Sequence, residues 1–328
     1  MPKLLAAPDK FRGTASAEQV AAAVLDAARD AGWQGEAVPV SDGGEGLLEC
    51  FGGPNRSTRV SGPLDAPVAA AWRQDGPRAV LEMAQASGMH LVGDDNDVLA
   101  ADTVGTGELI VAALDAGCRD IVVGVGGSAS TDGGRGAVDV LLAHRARLGD
   151  AQLTVACDVR TTFVDAARVF GPQKGALAGD VETLTRRLEE LADNYMAQWG
   201  VDVRTLPGAG AAGGLAGGLA ALGARLRPGF EVVAHQVDLA PRVAGADLVV
   251  TGEGRLDATS LQGKVAGSLA RLCRDTAPLL VLAGSVGDGA QLPGARVVDL
   301  SERFGARAAR TDVLGCVTET VSEALRSG

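Results

Sequence analysis

Aromatic side chains are scarce in this chain: 3% of 328 residues, with a single tyrosine. A core made without them must be filled by Ala, Val and Leu, and a hydrophobic content of 46% is enough for a sizeable one. Basic charge is short as well, with 30 Lys and Arg against 41 Asp and Glu and a formal net charge of -11. Binding a polyanion needs clustered cations, so no nucleic-acid partner is expected. A small anionic substrate needs only a few local cations and stays open. The three histidines, His90, His144 and His235, are too far apart for a metal-ligand spacing. The five cysteines (Cys50, Cys118, Cys157, Cys273, Cys316) form no CxxC or Cys/His pattern and read as reduced thiols in a packed interior. No run of 18 apolar residues occurs, and MPKLLAAPDKF lacks a signal-peptide core. The expectation is a soluble cytoplasmic protein with no membrane partner. There is no GK[ST] phosphate loop at the required spacing and no GxSxG nucleophile elbow, and no clean dinucleotide fingerprint appears.

What is abundant is glycine, at 46 residues. Without a low-complexity period, this means tight turns and close backbone approaches. The length suits two domains. Residues 3 to 7 (KLLAA) read as a buried strand ended by Pro8. Ser16 then caps a helix over AEQVAAAVLDAARDAG, with Gln19 completing a capping box and Gly32 closing it. Strand, loop and capped helix open an α/β domain. Further units follow: a helix over GELIVAALDAGC, a strand over RDIVVGV, a strand over ADLVV entering TGEG, a helix over KVAGSLARLCRD, strands over PLLVLAGS and ARVVDL, and a last helix from Asp312. Residues 57 to 84 have another texture, with short strands punctuated by Pro63, Pro67 and Pro77. The predicted fold class is α/β with two α/β domains. A Rossmann-like parallel-sheet domain (1-56 plus 237-328) carries a mixed-sheet α/β domain (57-236) as an insertion.

The glycines concentrate where chemistry could sit. GVGGSASTDGGRG (124 to 136) leaves an apolar strand, and SDGGEG (41 to 46) follows the apolar stretch 37 to 40. Such loops can turn backbone N–H groups toward an anion, and Ser128, Ser130 and Thr131 add hydroxyls. Each DGG turn is expected to deliver an Asp and bare amides to a phosphate-handling site. PGAGAAGGLAGGLAALGA (207 to 224) reads either as a second such loop or as close helix packing. TGEGRLDATSLQGK brings Glu253, Arg255, Asp257 and Lys264 to a strand exit, where α/β proteins bind ligands. Asp9, Lys10 and Arg12 follow the first strand, Asp42 and Glu45 the second, Asp158 follows LTVAC, and Lys174 lies in FGPQKGA. Phosphoryl transfer needs this mixture: amides and cations for phosphate oxygens, carboxylates for Mg2+, and one carboxylate to take a proton from an alcohol.

With these stretches aligned, the chain resembles the type I glycerate kinase family, the bacterial glycerate 2-kinases, nearly end to end. The resemblance rests on APDKFRG, PVSDGGEG, LEMAQASG, VGTGELI, GVGGSASTDGG, ACDV, FGPQKGA, PGAGAAGGL, LRPGFE and DLVVTGEGRLD with LQGK, in this order. It implies two α/β domains, one inserted in the other, with the active site in the cleft between them. It also implies Mg2+-dependent transfer of the ATP γ-phosphate to D-glycerate, giving 2-phosphoglycerate. The chain departs from the family pattern at Lys10 and at Arg160, Thr161 and Thr162, where the family usually has Asp-Asn-Pro.

On this reading Asp42, Asp158 and Lys264 are the candidate catalytic residues. Asp9, Lys10, Arg12, Lys174 and Arg255 are candidates to bind substrate. Gly126, Gly127, Ser128, Gly210, Gly213 and Gly214 are candidates to hold the nucleotide phosphates, and Asp158, Glu253 and Asp257 to hold Mg2+. The expected small-molecule partners are ATP and D-glycerate, and a homodimer is compatible with the sequence. Three alternatives stay open: a kinase of a related hydroxy acid, a non-catalytic sugar-acid-binding regulator on the same fold, and a dinucleotide-dependent oxidoreductase.

Overall fold

The computed structural model describes residues 1–326 apart from Arg12, Thr259 and residues 261–263. The described chain forms two compact units, residues 1–42 with 230–328 and residues 43–229. The sequence pattern alone puts these changeovers at 57 and 237, some 7 to 14 residues further along the chain. Eleven strands are present among the described residues: β1 (Lys3–Ala6), β2 (Gln34–Ala37), β3 (Arg56–Ser61), β4 (Pro67–Asp75), β5 (Arg78–Glu82), β6 (Asp120–Gly124), β7 (Gln152–Cys157), β8 (Arg225–Pro228), β9 (Leu248–Glu253), β10 (Leu279–Ala283) and β11 (Ala295–Asp299).

The first unit holds a five-stranded sheet in the order β11-β10-β9-β1-β2, with every pairing parallel. Its inner strands are largely apolar because both faces of a parallel sheet are covered; all five residues of β10 are buried. The helix Ala17–Asp30 packs on one face through Val20, Val24 and Ala27, alongside Val313, Val317 and Val321 of the last helix, Val313–Arg326. Its start is written locally. The Gln19 N–H donates to Ser16 Oγ at 3.2 Å and the Ser16 N–H to Gln19 Oε1 at 2.9 Å, a reciprocal cap of the kind the sequence predicts. β2 is shifted from expectation. It spans Gln34–Ala37 with all four residues exposed, and Val38 and Val40 continue beyond it as single N–H donors to Ala6 O and Pro8 O.

The second unit holds a six-stranded mixed sheet in the order β3-β4-β5-β6-β7-β8. β3, β4 and β5 form antiparallel hairpins; Pro63 and Pro77 lie in the connecting turns and Pro67 opens β4. β5 to β8 are parallel, so helical crossovers are required. Val104–Asp115 supplies the one before β6, Arg135–Ala143 lies before β7, and Ala178–Trp199 with Leu215–Ala221 lies before β8. The core is aliphatic, as the composition demands, with Leu81, Ile121, Val123 and Val155 packed by Leu109, Leu141, Leu215 and Leu219. The lone tyrosine, Tyr195, is buried against Phe163 at a ring-centroid distance of 6.1 Å and donates its hydroxyl to Gly133 O. No described helix is long and apolar enough to cross a membrane. The described cysteines are all free, and Cys118, Cys273 and Cys316 are buried.

Candidate active site

In the first unit the central strands β1 and β9 run parallel, with Ala6 paired to Val250, so the residues after β1 lie beside the end of β9. The Asp9 N–H donates to Gly252 O at 3.0 Å, and Thr251 Oγ1 donates to Ala7 O at 2.7 Å. This ties the two exits to each other. Glu253, the last residue of β9, is only 7% exposed. Its Oε2 accepts from Ser260 Oγ at 3.1 Å, and its Oε1 has no partner among the described residues. Asp9 accepts the Lys10 N–H at 2.7 Å.

These carboxylates are held in an unusual protonation range. Burial, reinforced by the Asp42 charge, pushes Asp9 up to about 7, with Glu253 adding to the rise and Lys10 opposing it. Burial likewise pushes Glu253 up to about 7; Ser260 and Lys264 pull it down, while Asp257 and Asp42 push it up. A buried charge is costly, and neighbouring like charges add to the cost. Arg255 Nε lies 3.6 Å from Asp257 Oδ2 on the exposed side. Asp9, Lys10, Asp42, Glu253, Asp257 and Lys264 are therefore brought within electrostatic reach. Arg12 lies outside the described residues.

In the second unit the loop leaving β6 is held from several sides. Met89 N donates to Gly127 O at 2.8 Å, and Ala129 N donates to Ser87 O at 3.0 Å. Gly127 has φ +67°, a backbone geometry that glycine adopts without strain. The glycines here also admit the SDGGEG loop. A Cβ on Gly126 would lie 2.7 Å from Gly44 Cα, and one on Gly127 would lie 2.7 Å from Glu45 Oε1. Glu82, at the end of β5, fixes that loop by accepting from Gly46 N at 2.9 Å and Leu48 N at 3.0 Å. Burial pushes its carboxyl up. The amides of Gly126, Gly127 and Ser128 donate to no acceptor among the described residues.

Three expectations change here. Asp132 does not present a free carboxylate. Its Oδ2 accepts from Thr103 N, Thr103 Oγ1 and Gly136 N at 3.0, 2.7 and 3.1 Å, and its Oδ1 accepts from Gly134 N at 3.1 Å. It ties together the starts of the helices Val104–Asp115 and Arg135–Ala143. Of the two DGG aspartates, only Asp42 joins a carboxylate cluster. Second, the 207–224 stretch owes its glycines to packing. The Gly210 amide is committed to Thr161 O and that of Gly214 to Gly210 O, which leaves neither a proton for phosphate. A Cβ on Gly213 would strike Ser130 O. Third, Lys174 is 3% exposed and its Nζ donates to Ser128 Oγ at 2.7 Å and Ser130 O at 2.5 Å. Burial pushes it down to about 7 against the pull of Asp132.

Asp158 follows β7 in the second unit, whereas Glu253 and Asp257 belong to the first. No group of three His, Cys, Asp or Glu among the described residues is placed to hold a metal by itself. The oxygen-only donor set and the unpartnered Glu253 Oε1 still suit Mg2+, which takes one or two carboxylates and completes its shell with phosphate oxygens and water. Glu82, Asn96 and Ser260 are not among the residues the sequence singles out. The LEMAQASG stretch and the strand-end position of Glu82 were the available signal for that residue.

Comparison with known proteins bears on the family and the fold. The model of the glycerate kinase family matches residues 4–144 and 140–306. The glycerate 2-kinase of Escherichia coli is 38% identical over 327 residues, covering 87% of this chain and 86% of that protein. An uncharacterised protein of Mycobacterium bovis is 43% identical over 306 residues, covering 87% and 79%. The crystal structure of a candidate glycerate kinase 2 from Salmonella typhimurium LT2 superposes with a TM-score of 0.82 at 33% identity, covering 100% of this chain and 99% of that one. Both sheets described above thus have a counterpart in a solved structure, and the chain belongs to the glycerate kinase family.

Proposed function

We propose that this chain transfers the γ-phosphoryl group of ATP to the 2-hydroxyl of D-glycerate, giving 2-phosphoglycerate and ADP in a Mg2+-dependent reaction. The observation that carries this is the row of amides at Gly126, Gly127 and Ser128 at a parallel-strand exit, without an acceptor among the described residues. Amides so placed are donors for phosphate oxygens. In support, the first unit supplies carboxylates and cations at its own strand exits.

The residues divide the work as follows. Asp42 takes the proton of the attacking hydroxyl as the oxygen–phosphorus bond forms and the bond to the ADP oxygen breaks. Lys264 faces the same carboxylates, as its effect on Glu253 records, and it neutralises charge on the transferring group. Lys10, Arg12 and Arg255 hold the glycerate carboxylate, with Asp9 accepting from its hydroxyls. Glu253, with Asp257, would hold Mg2+ against the phosphates, where the ion neutralises developing charge. A coupled assay of ADP release with ATP, Mg2+ and D-glycerate tests the reading. Turnover that depends on D-glycerate supports it. Nucleotide binding without turnover on any hydroxy acid would instead favour a regulator.

A second reading, a kinase acting on a related hydroxy acid, is favoured by Arg160. This exposed cation stands two residues after Asp158, and a preference for a more acidic acceptor in the same assay would select that reading.

A further inference from the structure

Lys174 and Asn96 share a location that the proposed chemistry does not use directly. Both act on one short stretch of backbone. Lys174 Nζ reaches Ser128 Oγ and Ser130 O. Asn96 Nδ2 donates to Ala129 O at 3.2 Å and to Lys174 O at 2.9 Å, so it joins the loop to the segment carrying the lysine. Ser130 is fully buried. A cation this enclosed, with its donors committed to the loop, is poorly placed to reach glycerate. Its hydrogen bonds also survive deprotonation, because a neutral amine keeps two N–H groups for its two acceptors.

We infer that Lys174 and Asn96 form a clamp that fixes residues 126–130 so that the amides of Gly126, Gly127 and Ser128 stay directed at a nucleotide phosphate. Resting on the kinase reading for its ligand, the inference makes both side chains positioning residues rather than substrate contacts. Preorganised donors need no rearrangement when the anion arrives, and an unpinned glycine loop must first lose conformational entropy. Clamp removal therefore weakens phosphate binding and leaves acceptor binding alone.

The test uses the full chain, with the non-hydrolysable nucleotide AMP-PNP plus Mg2+ as one probe and D-glycerate as the other. Both are titrated by calorimetry into the wild type, Lys174→Met and Asn96→Ala. Hydrogen exchange of the 126–130 segment is followed in parallel. The clamp predicts a nucleotide Kd raised about tenfold in Lys174→Met and about threefold or more in Asn96→Ala. D-glycerate affinity stays within about twofold, and exchange in the loop accelerates. Asn96 is only partly buried, so its variant keeps the test readable where Lys174→Met fails to fold. Lost D-glycerate binding with unchanged nucleotide binding would make Lys174 a substrate ligand and overturn the clamp. Unchanged loop exchange in Asn96→Ala would overturn it too. A wild type that binds nucleotide but phosphorylates no hydroxy acid would refute the kinase reading and leave the clamp result standing.

Discussion

Two aspartates with nearly the same sequence signature, Asp42 in SDGGEG and Asp132 in STDGGRG, sit in opposite surroundings. Asp132 is saturated, with four N–H or O–H donors converging on its two oxygens. Asp42 lies instead in the electrostatic field of Asp9 and Glu253, raising the proton affinity of both. The motif alone does not distinguish a helix-joining pin from a reactive carboxylate. The charges around it do, since Asp42 has Asp9 and Glu253 within electrostatic reach. A carboxylate among buried like charges marks a ligand site, whereas one pinned between two helix starts serves the fold.

The largest expected effect attacks the reactive member. Asp42→Asn should lower kcat by about 10²- to 10⁴-fold with a modest change in KM, as loss of a general base does. Steady-state kinetics read this directly, and a near-normal kcat would remove Asp42 from the role. Asp132→Ala leaves the Thr103, Gly134 and Gly136 donors without their acceptor, a loss of about 3 kcal/mol. A scanning calorimeter should show melting lowered by roughly 5–10 °C.

A smaller effect concerns Asp9 and is pH-dependent. Its folded-state pKa is about 7, above the ordinary carboxylate value of 3.8, so the folded chain holds the extra proton between those limits. The stability this contributes is fully present below pH ~4 and is lost as pH rises through about 7. Asp9→Asn cannot titrate. Its melting temperature should gain on the wild type by a few degrees between pH 4.5 and 8, then run parallel to it. A constant difference across that range would show that Asp9 is not desolvated as described. Smallest of all is Glu82→Gln, which keeps an oxygen for the Gly46 and Leu48 amides and should cost about 1 kcal/mol or less by chemical denaturation.

Much of this was legible in the sequence where local chemistry decides it. The Ser16/Gln19 cap, the apolar strands entering glycine loops and the proline-punctuated hairpins all depend on neighbours in the chain. The position of Asp9 just after β1 and of Glu253 at the end of β9 was legible for the same reason. What escaped depends on distant partners. Nothing near Asp132 announces that Thr103 would take two of its lone-pair sites. Nothing near Lys174 announces that residues 128 and 130 would enclose its ammonium. The glycines at 210, 213 and 214 looked like a phosphate loop because close packing and anion binding both select residues without a Cβ; only the carbonyls facing them separate the two. Arg12 and the LQGK segment ahead of Lys264 belong to the same sequence reading, and Arg12 and residues 261–263 lie outside the described residues.

The most direct measurement is phosphorus NMR of the product formed from ATP, Mg2+ and D-glycerate by the wild-type chain. The account predicts ADP together with a phosphomonoester resonance coupled to the C2 proton, the signature of 2-phosphoglycerate. A resonance coupled to the C3 protons, or ATP left unconsumed beside D-glycerate, would contradict it.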